Sequence, residues 1–228
     1  MPLWLVCLPK RLKRTYNITM NIENILVLAP HTDDGELGLG GTISKYIEEG
    51  KNVYYAAFST ADQSVPEGFP KDILATEVRN ATRKLGIPAE NLHIYHYEVR
   101  KLNYVRQELL EDLVKLRNER HYDLVFMPSS HDIHQDHTTV AQEAIRAFKK
   151  TTLLGYELIW NNLTFDTDCF IQLEERHIEA KCQALREYKS QGFRDYTSPE
   201  FVRSLARTRG VQVGCQYAEA FEVIRLFL

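Results

Sequence analysis

Two short apolar runs constrain this chain more than any other feature in it. Ile25 to Ala29 and Asp123 to Pro128 are brief hydrophobic stretches, closed by Pro30 and Pro128, and each opens at once onto histidine and aspartate. A continuous apolar run of this length is what a parallel strand covered on both faces requires, and proline ends it because proline has no ladder donor. After the first run stand His31, Asp33 and Asp34; after the second stand His131, Asp132, His134, Asp136 and His137. One acid would suffice to cap the helix that follows. Packing does not account for imidazoles and several carboxylates at both places, whereas open α/β sheets carry their ligand sites beyond the carboxyl ends of their strands.

The remaining segments fit that frame. Asn52 to Ser59 predicts a second strand, Leu92 to Tyr97 a third, and Leu153 to Ile159 and Cys169 to Leu173 two more. Helical spacing runs through Lys71 to Leu85, Tyr104 to Arg120, about Thr138 to Phe148, Glu174 to Tyr188 and Pro199 to Arg209, with a further helix around Ile43, Tyr46 and Ile47. Strand and helix alternate, which predicts a single α/β domain, Rossmann-like, with a mostly parallel sheet and helices on both faces. Tyr217 to Leu228 closes the chain with no element assigned.

Residues 1–20 differ in character and read as an extension preceding a domain over residues 21–228. Leu3 to Leu8 is too short to span a bilayer, and the basic cluster Lys10 to Arg14 follows the apolar run where a secretory signal would place it first. No transmembrane segment is expected. A net charge of -3 leaves no basic footprint for nucleic acid. The four scattered cysteines form no CxxC pair or dense framework, so a reducing, cytoplasmic setting is expected.

Imidazole and carboxylate together suit a borderline divalent ion held by three protein ligands, most often Zn²⁺, with Fe²⁺ accepting similar donors. If the two clusters meet, His31, Asp34 and His137 make a His₂Asp site. Asp33, beside a ligand, is then a candidate general base, and His134, if protonated, a candidate for stabilising an oxyanion. Asp136 belongs to the same catalytic group, as a partner for an imidazole N–H.

His31-Thr32-Asp33-Asp34 with Glu36 and the glycines after it, then His134-Gln135-Asp136-His137, resemble the HPDDxE and HPDH signatures of the LmbE/PIG-L-like family of zinc-dependent N-deacetylases. RGVQVGCQYAEAFEV from Arg209 and KCQALREYKSQ from Lys181 resemble late segments of that family, so the likeness runs from Asn24 to the C-terminus. The resemblance implies a Rossmann-like fold and hydrolysis of an N-acetyl group on an amino sugar or sugar conjugate. It implies His31, Asp34 and His137 as zinc ligands, Asp33 as general base and His134 as the oxyanion-stabilising histidine. Arg79, Arg100 and Glu219 are candidates for the sugar pocket, Glu219 because it lies in YAEAF. Thr32 and Gln135 replace the usual prolines, which changes loop rigidity without removing a ligand. The alternatives are hydrolysis of another amide or ester, or a non-catalytic glycan-binding relative; self-association into a homo-oligomer is open to either.

Other features are set aside. His93, His96, His121 and His177 stand alone, as surface or satisfied core histidines do. His131 and Asp132 share the second loop and are kept as substrate contacts or partners of a ligating imidazole. GLGG after the first strand lacks full dinucleotide spacing. Arg203, Arg207 and Arg209 form either a solvated helix face or a site for an anionic group.

Overall fold

The computed structural model describes residues 22–227, so the expected extension over residues 1–20 lies outside the described residues. Seven strands form one sheet: β1 (Asn24–His31), β2 (Asn52–Ser59), β3 (Leu92–Ile94), β4 (Leu124–Pro128), β5 (Thr152–Tyr156), β6 (Cys169–Leu173) and β7 (Tyr217–Arg225), in the order β3-β2-β1-β4-β5-β7-β6. The first five strands in that order pair in parallel. β7 enters antiparallel between β5 and β6. The chain winds outward from β1 through β2 to β3 and returns to lay β4 on β1's other side, so the order reverses between β1 and β4, where such sheets open a crevice.

Strand alternation divides the core in two. Ile25, Val27 and Phe126 face one layer, which includes α1 (Asp34–Glu48), α2 (Ile73–Leu85), α5 (Glu175–Leu185) and α6 (Pro199–Val213). Leu26, Leu28, Val125 and Met127 face α3 (Arg106–Glu119) and α4 (Gln135–Ala147) through Leu109, Leu113 and Val140. Every residue of β4 is buried, as its unbroken apolar run requires. Among the described residues no helix is long and apolar enough to cross a membrane.

Several expected bounds change: β3 stops at Ile94 rather than Tyr97, α5 stops at Leu185 rather than Tyr188, and α6 runs on to Val213 rather than ending at Arg209. α4 begins at Gln135 rather than near Thr138, because His134, in extended backbone, caps it: His134 Nδ1 accepts from the Asp136 amide at 3.2 Å. β5 stops at Tyr156 rather than Ile159. The unassigned C-terminal stretch is β7, whose central residues Ala218 to Glu222 are all buried.

α1 carries the GLGG glycines inside the helix, which removes any dinucleotide turn there. Gly38 lies against Tyr156, whose ring would come within 2.4 Å of an added Cβ, so the helix packs tightly on the sheet. The helix kinks at Leu39 (φ -146°, ψ 26°), and the amides of Gly41 and Thr42 turn to the Glu219 carboxylate at 3.1 and 2.7 Å. Lys181 Nζ balances that carboxylate at 2.7 Å, and both side chains are buried. Removing one partner of such a pair leaves an uncompensated buried charge. Glu219→Ala should therefore lower the unfolding free energy by about 3–5 kcal/mol, read as a shifted urea midpoint, and Lys181→Met in the same chain should recover part of the loss.

Candidate active site

β1 and β4 lie side by side, so the loops that leave their carboxyl ends meet. On the first, His31 ends the strand and Asp34 opens α1, with Asp34 Oδ2 accepting the His31 amide at 2.8 Å. The turn between them is held from below. The Thr32 carbonyl accepts the hydroxyls of Tyr55 at 2.9 Å and Tyr188 at 2.7 Å, and both tyrosines also contact the buried Glu36 carboxyl. Two fixed hydroxyls thus restrain a turn that has threonine at this position. Burial pushes Glu36 up to about 8, against the pull of those hydroxyls.

On the second loop, Asp132 Oδ1 accepts the His134 amide at 2.8 Å and Oδ2 lies 2.7 Å from His137 Nδ1. His137 then presents Nε2 to the first loop. Three donor atoms converge: His31 Nδ1 lies 3.1 Å from His137 Nε2 and 3.1 Å from Asp34 Oδ2, and His137 Nε2 lies 3.2 Å from Asp34 Oδ2. A tetrahedral ion with bonds of about 2.0–2.1 Å sets its ligand atoms about 3.3 Å apart. The triangle has the spacing of a ligand set for a divalent cation. A ring nitrogen from each of His31, His134 and His137 also falls within 4.8 Å of the others. His134 Nδ1 is engaged by the helix cap, however, and the closer set includes the Asp34 carboxylate.

Each imidazole of the triangle is backed by a carboxylate, the arrangement that fixes tautomer and ring orientation in metal sites. Asp132 serves His137; Asp136 Oδ2 serves His31 Nε2 at 3.0 Å. Asp136 is fully buried and takes the amides of Arg100 and Leu102, so it orients a ligand rather than lining the cleft. Its contact with His31 is the one expected of a partner for an imidazole N–H. His131 is turned outward, 3.5 Å from Asp166.

The electrostatics favour a cation at the triangle. Burial opposes charge on both imidazoles, yet Asp34 with Asp136 pushes His31 up to about 9, and Asp34 with Asp132 pushes His137 up to about 10. Burial also opposes ionisation of Asp34, but His137 and His31 hold it well below the usual carboxylate range. Asp33 stands apart from the donors: burial first and then Asp34 push it up to about 6, against His31 and Arg194. Burial, His137 and His31 push His134 down to about 4, which makes it neutral at pH 7. Its Nδ1 accepts the cap bond, so its proton sits on Nε2, and the expected cation is a neutral N–H donor at the cleft.

The cleft has a volume of about 400 Å³, within the range of small-molecule sites. Asp33, His134 and Arg100 line it. Arg79 does not: it lies exposed on α2, and Glu219 is committed to its buried ion pair. Trp160, Asn161, Gln191, Arg194 and Tyr196 also line the cleft and were absent from the sequence-based set. They sit in loops without periodicity or motif, where two aromatics in polar surroundings were the available signal. The arginines of α6 are engaged elsewhere: Arg203 with Glu175 and Glu179, Arg207 with the carbonyls of Cys215 and Gln216, and Arg209 with Glu157. His177 closes a capping box on α5.

Asp132→Asn keeps the shape of the loop but removes the negative charge behind His137. It should weaken divalent-ion affinity about 10–100-fold, measured by competition with a chromogenic chelator.

The chain matches the family model PIG-L: GlcNAc-PI de-N-acetylase over residues 26–148. It is 29% identical over 174 residues to the uncharacterized deacetylase YaiS of Escherichia coli K12, covering 74% of this chain and 91% of that one. It is 24% identical to the diacetylchitobiose deacetylase of Thermococcus kodakarensis, covering 90% and 84%. The structure of N,N'-diacetylchitobiose deacetylase from Pyrococcus horikoshii superposes with a TM-score of 0.74 at 23% identity, over 90% of this chain and 84% of that one. The matched region takes in both strand ends and more than half of the chain, which belongs to the PIG-L family.

Proposed function

We propose that this protein is a zinc-dependent N-deacetylase that removes the acetyl group from an amino sugar or sugar conjugate. Its family and its deacetylase relatives make it an amide-bond hydrolase, and diacetylchitobiose deacetylases are among those relatives. The observation that carries the mechanism is the separation of roles at the strand ends. His31, Asp34 and His137 form a ligand triangle, while Asp33 next to it keeps a carboxylate free. Two imidazoles and one carboxylate suit zinc, which when bound supplies a Lewis acid for an amide carbonyl and acidifies water.

The chain's own residues do the rest. Asp33 is the proton carrier: its carboxylate accepts a proton from the attacking water and returns it to the departing nitrogen, and a pKa raised towards neutrality suits both halves of that task. His134 donates its Nε2–H to the oxygen that becomes negative as the carbonyl carbon turns tetrahedral. Asp132 and Asp136 hold the ligating rings still. Arg100 lines the sugar side of the cleft.

Metal analysis of the purified protein, joined to acetate release from a panel of N-acetylated sugars, tests the reading directly. About one zinc per chain and chelator-sensitive release are expected; turnover that survives complete metal removal would overturn it. Asp33→Ala should keep its metal and lose about 10²–10⁴-fold in kcat, so full activity in that variant removes Asp33 from proton transfer. His134→Ala should lower kcat about 10²–10³-fold with little change in KM, as judged from initial rates.

A further inference from the structure

We propose that the buried hydroxyls of Tyr55 and Tyr188 are positioning groups for Asp33, fixing the carboxylate that moves the proton without being needed to hold the ligand triangle; this deepens the deacetylase reading and rests on it. The two acids of the turn after β1 are secured differently. Asp34 is tied through its own side chain, which accepts the His31 amide at 2.8 Å and lies 3.1 and 3.2 Å from ring nitrogens of His31 and His137. Asp33 stands immediately before α1 but makes no side-chain cap. Among the described residues no other residue donates a hydrogen bond to its carboxylate, which His31 and Arg194 attract through charge alone. Its place in the cleft is therefore set by the backbone that carries it.

That backbone is closed by a phenol. Tyr55 Oη accepts the Gly35 amide at 3.1 Å and lies 2.9 Å from the Thr32 carbonyl, so one oxygen spans both ends of the turn, with Asp33 and Asp34 between them. Tyr188, from the chain beyond α5, donates its hydroxyl to the same carbonyl at 2.7 Å. The Glu36 carboxyl meets both phenols from the other side, with Oε2 2.5 Å from Tyr55 Oη and Oε1 3.1 Å from Tyr188 Oη. The rings have no room to turn. Both are buried, and a Cβ added at Gly35 would fall 2.5 Å from the Tyr55 ring.

Removing either hydroxyl leaves buried backbone groups short of a partner, and the turn relaxes to recover one. Asp34 keeps its contacts with both imidazoles, so the relaxation is expressed at Asp33. Transfer of a proton demands tight placement of the group that carries it, and a misplacement of about 1 Å costs about 10²-fold in rate. A third buried tyrosine supplies the comparison: Tyr156 donates to the Leu28 carbonyl at 3.0 Å, a bond of the same kind inside β1 and outside the turn.

The test compares zinc-loaded Tyr55→Phe, Tyr188→Phe and Tyr156→Phe with wild type. It measures kcat and KM for acetate release, zinc affinity by chelator competition, the urea midpoint, and hydrogen exchange of the amides from Asp33 to Gly35. All three variants should lose stability. In Tyr55→Phe and Tyr188→Phe kcat should fall about tenfold or more, with KM and zinc affinity within about threefold of wild type, and the turn amides should exchange at least about tenfold faster. Tyr156→Phe should keep wild-type kcat and wild-type exchange at the turn. Unchanged kcat in both turn variants, a zinc affinity that falls in step with kcat, or an equal loss of kcat in Tyr156→Phe overturns the proposal. If Tyr55→Phe does not fold, Tyr188→Phe, which leaves the Gly35 bond in place, decides the matter. Exchange needs no substrate and so separates the two readings. Faster exchange confined to the turn variants, with no acetate release by wild type, sustains the clamp and removes the deacetylase assignment; release by wild type, with kcat and exchange unmoved in the variants, removes the clamp alone.

Discussion

Three buried carboxylates, Asp34, Asp132 and Asp136, surround two imidazoles at one point in the molecule, and buried charges of one sign persist only where something compensates them. Positive charge on His31 and His137 meets that requirement, which is why the neighbouring carboxylates push both imidazoles up against the effect of burial. The surrounding architecture serves this balance. The β1–β4 neighbourhood brings the two loops together, the tyrosines beneath Thr32 hold one of them, and Asp132 ties the other to the start of α4. Even the strained backbone at Arg100 is anchored to one of the three acids.

Much of this was legible in the sequence because it is local. Buried parallel strands show themselves as apolar runs, and β2 was bounded correctly at both ends for that reason. The meeting of His31, Asp34 and His137 was expected from the two clusters and the family resemblance, since His31 and Asp34 stand at the end of β1 and His137 in the first turn of the helix that follows β4. Other features are properties of three-dimensional neighbourhoods. α4 starts early because a histidine acts as its cap, a role usually filled by Ser, Thr, Asp or Asn. β7 hides two buried glutamates, Glu219 and Glu222, in a pattern that reads as half-exposed. Glu219 looked like a pocket residue by its motif, yet its carboxylate is occupied by two freed amides of a kinked helix and a lysine. Arg194 and Trp160 reach the cleft from irregular loops, and nothing in their local sequence points inward.

The distribution of arginines has the same logic. On α6 they bind the protein to itself, whether through glutamates or through the carbonyls that follow the helix. In the cleft Arg100 donates to the hydroxyl of Ser64, and Arg194 donates to Gln191 and Tyr196 while its charge acts on the Asp33 carboxylate.

The place of β7 in the sheet bears on how the molecule is assembled during synthesis. β6 has no partner in the sheet other than β7, and β5 keeps an open edge until β7 docks. Glu222 of β7 accepts the hydroxyls of Ser129 and Ser130 and the Ser130 amide, and Glu219 secures the bend in α1. A nascent chain that has emerged only through α6 holds His31, Asp34 and His137 but lacks the strand that braces the Ser129–Ser130 turn and the bend of α1. Such an intermediate exposes the edge of β5 that β7 covers in the folded sheet, the kind of edge that invites pairing with another chain. The cluster at the β1 and β4 ends is thus made early in the chain, while the strand that closes the sheet around it comes last among the elements.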